Sequence, residues 1–176
     1  PEVRNQFPPH PMCLTPVPTG PSVLPPGGVK VDLSVDYSSV YFNEGSDRWS
    51  VLVDMELAII NLGLRYGLTP GFTVGIHQPA ARMWDGFLDG PLEDYHSAFG
   101  FPNYDKHRRP EDDFIYHIRK DGVDWIRAEP DGWHLVDTTL EAQWVLLEER
   151  HWAVDCRYQL QLPTGEEGGG FGNGAL

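Results

Sequence analysis

Asp89, Glu93 and His96 fall at i, i+4 and i+7, so a helix across them would carry two carboxylates and an imidazole on one face. Glu-x-x-His is the spacing by which di-iron bundles hold metal, but such a centre needs further carboxylates from other helices. No second element of that kind is visible here. Carboxylates also favour the positive end of a helix dipole, and a solvated or helix-capping role is the prevailing reading. The functional alternative is a gate or ligand contact, should the helix fold into a lumen. His107-Arg108-Arg109-Pro110-Glu111-Asp112-Asp113 mixes both signs and reads as an exposed, ion-paired loop. His77, His117, His134 and His151 are scattered without metal-ligand spacing. There is no Gly-x-Ser-x-Gly elbow, phosphate loop or Cys-x-x-Cys-His haem attachment. An enzyme is therefore not expected, and no catalytic residue, metal or cofactor is assigned.

The elements that position these residues belong to a chain of 176 residues, whose 26 acidic and 13 basic side chains leave a net charge of -13. One domain is the prior at this length. Such acidity argues against a nucleic-acid partner, which requires a basic face. No stretch approaches the roughly 18 consecutive apolar residues of a membrane helix. A membrane β-barrel stays open, because its alternating strands keep hydropathy low. Cys13 and Cys156 are too few for a disulfide scaffold and read first as small apolar residues, with a pair in an oxidising compartment as the other reading.

Residues 1–28 hold much of the proline and are expected to be extended and irregular. From residue 29 onward, Val29, Val31, Leu33, Val35 and Tyr37 alternate with Lys30, Asp32, Ser34, Asp36 and Ser38, which is a strand with one apolar and one polar face. Residues 43–48 read as a polar loop. A long extended run follows from Trp49 to Tyr66, and its apolar parity reverses: Val51, Val53, Met55 and Leu57 first, then Ala58, Ile60, Leu62, Leu64 and Tyr66. A β-bulge near Ala58 would reconcile the halves. A helix over residues 51–62 is the weaker rival. Gly67-Leu68-Thr69-Pro70-Gly71 is a turn, and Phe72, Val74 and Ile76 begin a third strand.

The connection at about 79–133 is long enough to be functional or to have structure of its own. Leu88, Leu92, Tyr95 and Phe99 form a helical stripe that Gly100 would end. Asp121-Gly122 between two apolar runs predicts a hairpin. Alternation returns over residues 136–146 and again over 152–162, with Asp155, Arg157 and Gln159 on the polar side of the last run.

An apolar strand face packs on a core in a soluble sheet and meets lipid in an outer-membrane barrel, where the polar face lines the lumen. The alternation of short turns with longer connections favours the barrel. On that reading Lys30, Asp32, Asp36, Asn61, Arg65, Asp155, Arg157 and Gln159 line a wet lumen. Tyr66, Phe72 and Trp152 beside the short turns would sit at one membrane interface, with Tyr37, Tyr41 and Trp49 at the other.

Gly86-Phe87-Leu88-Asp89-Gly90-Pro91-Leu92-Glu93-Asp94-Tyr95-His96-Ser97-Ala98-Phe99-Gly100-Phe101-Pro102 resembles a bacterial outer-membrane β-barrel family, domain-of-unknown-function family 3187. Arg4-Asn5-Gln6, Tyr66-Gly67-Leu68, Arg119-Lys120-Asp121-Gly122 and Leu162-Pro163-Thr164-Gly165 are similar to further family motifs, so the resemblance spans nearly the whole chain. It implies a barrel in the outer membrane of a Gram-negative bacterium, without a known activity. The combined expectation is an all-β, antiparallel up-and-down transmembrane barrel, of which residues 29–176 form an N-terminal portion of about five strands. Its N-terminus would be periplasmic and its long loop, with a short helix and a hairpin, near the lumen. A passive channel or transporter with the lipid bilayer as partner is the leading function, other outer-membrane or periplasmic proteins being further partners. A soluble periplasmic β-protein binding a protein or a small apolar ligand is the alternative.

Overall fold

The computed structural model describes residues 23–102, 110–129, 132–166 and 169–172. Cys13, His107, Arg108, Arg109 and most of the proline-rich segment lie outside them. In chain order the elements are β1 (Val29–Gly45), β2 (Trp49–Thr69), β3 (Phe72–Trp84), α1 (Asp89–Phe99), β4 (Ile115–Lys120), β5 (Val123–Ala128), β6 (His134–Leu135), β7 (Thr138–Glu148) and β8 (Ala153–Leu162). The strands form one antiparallel sheet. Five of them, β1-β2-β3-β7-β8, make the expected meander, with β6 as a short lead-in to β7 that also pairs with β3. The sheet is not closed: among the described residues the far edges of β1 and β8 pair with no strand. No helix is long and apolar enough to cross a membrane.

β2 is the spine. Along one edge it pairs with β1 from Val29 opposite Tyr66 to Gly45 opposite Ser50, without a break. Its other edge is shared, with β3 taking Glu56–Thr69 and β4 taking Trp49–Asp54. The 85–114 connection thus leaves the sheet where β3 ends and returns as the hairpin that completes β2's second edge. Asp121 and Gly122 at the hairpin tip have φ of 51° and 80°, as its two-residue loop requires. Arg48 donates to both Asp121 carboxylate oxygens at 2.9 Å, clamping this tip to the β1–β2 turn. The guanidinium holds the exposed Asp121 carboxyl below its usual range. The 43–48 loop expected from sequence is shorter than its composition suggests, because Asn43–Gly45 stay paired to β2 and only three residues turn.

The bulge expected near Ala58 does not form. With the register unbroken, the reversal of apolar parity is a real exchange of faces. In the half of the sheet near the Thr69–Phe72 turn, Leu33, Leu62, Ile76 and Leu160 share one face and are 69%, 50%, 42% and 37% exposed. In the other half Val53, Met55, Leu57 and Ile59 point to the opposite face. There they form a buried core with Val40, Met83, Tyr116, Ile118, Val136 and Phe171. The apolar residues therefore change face between the halves, while the face that carries the core stays buried along the polar half as well, at Arg65, Thr73, His77 and Glu141. Leu57→Ala should cost roughly 2–5 kcal/mol, whereas Leu33→Ala, the same deletion on the uncovered face, should stay within about 0.5 kcal/mol. Urea titration of the two variants checks the contrast.

Candidate functional site

The polar face of the meander carries a continuous stripe. Lys30, Arg65, Gly75, Glu141 and Gln159 lie in one row across five strands, with Asp32, Gly63, His77, Thr139 and Gln161 in the next. Glu141 is the centre, its side chain only 2% exposed. One carboxylate oxygen lies 3.5 Å from Arg65 Nε; the other lies 3.7 Å from His77 Nε2 and 3.9 Å from Arg157 Nε. Gln159 Nε2 donates to that second oxygen at 3.3 Å. Glu141 thus sets one carboxylate among two guanidiniums and an imidazole. Alongside, Gln143 donates to Asp155 at 2.5 Å and accepts from Arg157 at 3.3 Å. Asn61 donates to Asp36 at 3.0 Å and Ser34 at 3.3 Å, and Lys30 pairs with Asp32 at 2.8 Å near solvent.

By register, Lys30, Asp32, Asp36, Asn61, Arg65, Asp155, Arg157 and Gln159 share one face of the sheet. The alternation puts Glu141, Gln143, His77 and Thr73 on the polar sides of their strands, but sequence reasoning did not single them out as the middle of the stripe. The available signal was glycine inside strands, which marks a close approach. A Cβ on Gly63 would stand 2.9 Å from His77 Nδ1, and one on Gly75 would stand 3.2 Å from Arg65 Cγ. Each glycine lets a long polar side chain lie flat across the neighbouring strand.

The stripe is bracketed at both ends. Near the Thr69–Phe72 turn, Leu24 N donates to Thr73 Oγ1 at 2.9 Å, while Gly27 N and Gly67 N donate to the Gly67 and Gly28 carbonyls. A Cβ on Gly67 would lie 2.1 Å from the Pro25 carbonyl oxygen, so only glycine admits this strap. At the other end Phe171 stacks on His134 with ring centroids 4.4 Å apart, and His134 also pairs with Glu166. Gly170 sits against the Tyr116 ring, and Gly165 N donates to Asp137 at 2.8 Å.

The 85–114 connection starts on the face opposite the stripe. Glu56, buried on that face, accepts from Phe87 N at 2.9 Å, from Leu88 N and from the Tyr37 hydroxyl. Leu88 caps α1 without a side-chain hydrogen bond, so a carboxylate borrowed from β2 meets the positive end of the helix. Gly86, at φ 81°, lies directly on that carboxylate. Asp89 is buried and accepts from Asp112 N at 2.8 Å, which ties the helix to the return segment. Glu93 is half-buried, and His96 stands edge-on to the Phe101 ring. Among the described residues no cluster of three or more metal-ligating side chains forms.

Of the aromatics read as interfacial, Tyr66, Phe72 and Trp152 lie by the turns, where exposed Trp144 and Tyr158, not singled out from sequence, join them. Tyr37 is on the same face at the other end, edge-on to Trp84 with centroids 5.4 Å apart, and Tyr41 is half-buried farther along β1. Trp49 instead packs against the core and on Trp125, because its parity on β2 is that of Val53.

A family model matches residues 2–169, almost the entire chain. The chain belongs to the DUF3187 family of proteins of unknown function. The DUF3187 match takes in every strand, the helix and the whole polar stripe. No curated protein and no solved structure matches.

Glu141→Ala should destabilise by about 3–5 kcal/mol, since it removes the carboxylate that two guanidiniums share. Glu141→Gln keeps the shape and should cost less. Denaturant titration of both variants reads the difference.

Proposed function

We propose that the meander is an arc of an outer-membrane β-barrel in a Gram-negative bacterium, serving as a channel or transporter whose polar stripe faces the lumen. The observation that carries this reading is the exchange of faces along β2. A sheet in water buries its apolar face throughout. A strand passing from lipid into water turns apolar residues outward where lipid is the solvent and inward beyond it. The outward belt runs over Val29–Tyr37 on β1 and Ala58–Tyr66 on β2. Each stretch is about nine residues, the length of a tilted membrane-crossing strand. Beyond the belt the same two strands join the dry core, as a soluble projection would. Open ladders on β1 and β8 fit an arc that further strands complete. The turn ends, with Tyr66, Phe72, Trp144 and Trp152, would face the periplasm.

The second reading is a soluble periplasmic β-protein whose exposed belt docks a protein partner or a small apolar ligand; the same uncovered face favours it. Fractionation separates the two. The full-length protein should remain with outer membranes until detergent is added, and recovery in a detergent-free periplasmic extract would falsify the barrel. Leu33→Arg, at the middle of the belt, should cost about 2–4 kcal/mol in lipid vesicles, but almost nothing on an exposed soluble surface. Planar-bilayer conductance of the full-length protein tests the channel role, and silence there would favour docking or scaffolding.

A further inference from the structure

α1 and the Phe101 that follows it present an exposed apolar stripe. Tyr95, Phe99 and Phe101 cluster with ring centroids 4.8–6.2 Å apart, each more than half exposed, Phe99 at 65%. Burying three rings in one another while leaving their outer surfaces to water gains little, since each aromatic side chain has 150–250 Å² to bury. Glu93, Asp94 and Ser97 give the helix its polar positions, and it carries no lysine or arginine.

The place of the helix decides what meets that stripe. Its N-terminus is tethered by Glu56 on the outward face of β2. The preceding Phe87, itself exposed, lies 6.0 Å from the Tyr37 ring. Tyr37 is the last residue of the outward apolar belt on β1, opposite Ala58 where the faces exchange. The apolar surface therefore continues from Leu33 and Val35 through Tyr37 to Phe87, and the chain passes directly into α1. A helix starting at that level, on that face, begins at the boundary between lipid and water.

We propose that α1 is an interfacial helix, lying along the bilayer surface beside the barrel wall with Tyr95, Phe99 and Phe101 immersed among the headgroups and upper acyl chains. The inference rests on the barrel reading and adds a second membrane contact to it. With no lysine or arginine on the helix and His96 as its sole basic side chain, attraction to anionic lipid is weak at neutral pH, and binding comes from apolar area. Immersion should therefore occur in zwitterionic phosphatidylcholine and be insensitive to salt. Glu56 fixes the entry to the helix and so sets the level at which its stripe meets the boundary.

Nitroxide labels on the full-length protein in phosphatidylcholine vesicles test this. Both native cysteines are replaced by serine, and single cysteines are introduced as Leu33→Cys, Phe99→Cys and Asp94→Cys. Relaxation by oxygen against a water-soluble nickel chelate reports the depth of each label. The expected order is deep immersion at Leu33, shallow immersion at Phe99 and full water exposure at Asp94, unchanged between low and high salt. A water-like signal at Phe99 with a lipid-like one at Leu33 overturns the interfacial helix and leaves the barrel standing. Water-like signals at both positions overturn the barrel reading, and this inference with it.

Discussion

The unbroken pairing of β1 with β2 is the constraint from which the rest follows. Seventeen residues of β1 run in register with β2, so side-chain direction is fixed by parity along the full length of both strands. The sequence nevertheless changes the parity of its apolar residues halfway along. A ladder without a bulge cannot absorb that change, so the apolar side chains pass from the buried face of the sheet to the exposed one. One pair of strands thus carries its apolar residues on one face in one half and on the other face in the other half.

Each half then has its own packing problem. Where the apolar residues point inward, β3 ends at Trp84 and the β4–β5 hairpin takes over the edge of β2. Tyr116, Ile118 and Ile126 thereby reach the core. Where they point outward, the inner face must be polar, and its charges cannot be left unpaired in a sparsely hydrated space. Sharing Glu141 among Arg65, His77 and Arg157 meets that requirement across three strands. Glycines at 63 and 75 give the long side chains room to cross.

Much of this architecture was legible because strand alternation is a local signal. The five strands, the helix stripe ending at Gly100 and the Asp121-Gly122 hairpin are each written in a few neighbouring residues. The polar face was legible for the same reason, since Lys30, Asp32, Arg65 and Arg157 declare their side by parity alone. The centre of the network was not, because Glu141 and His77 become partners only through pairing with β3. Trp49 shows the complementary failure: proximity to a loop suggested a girdle, but parity on β2 sends it to the core. The bulge was inferred from the assumption that one strand keeps its apolar residues on one face, whereas the unbroken register lets them change face.

The segments covering the inner face obey a different rule from the one length suggested. The long connection has bulky residues, Trp84, Phe87 and Leu88, and settles on the outward face over Glu56. The stripe is instead closed by short glycine-rich pieces, Val23–Gly28 at one end and Gly169–Gly172 at the other. Backbone with no Cβ approaches most closely. Gly67 beneath Pro25 and Gly170 against Tyr116 each occupy positions where a methyl group would collide. Close backbone approach at these glycines, with the Phe171 ring carried into the core, closes the stripe at both ends.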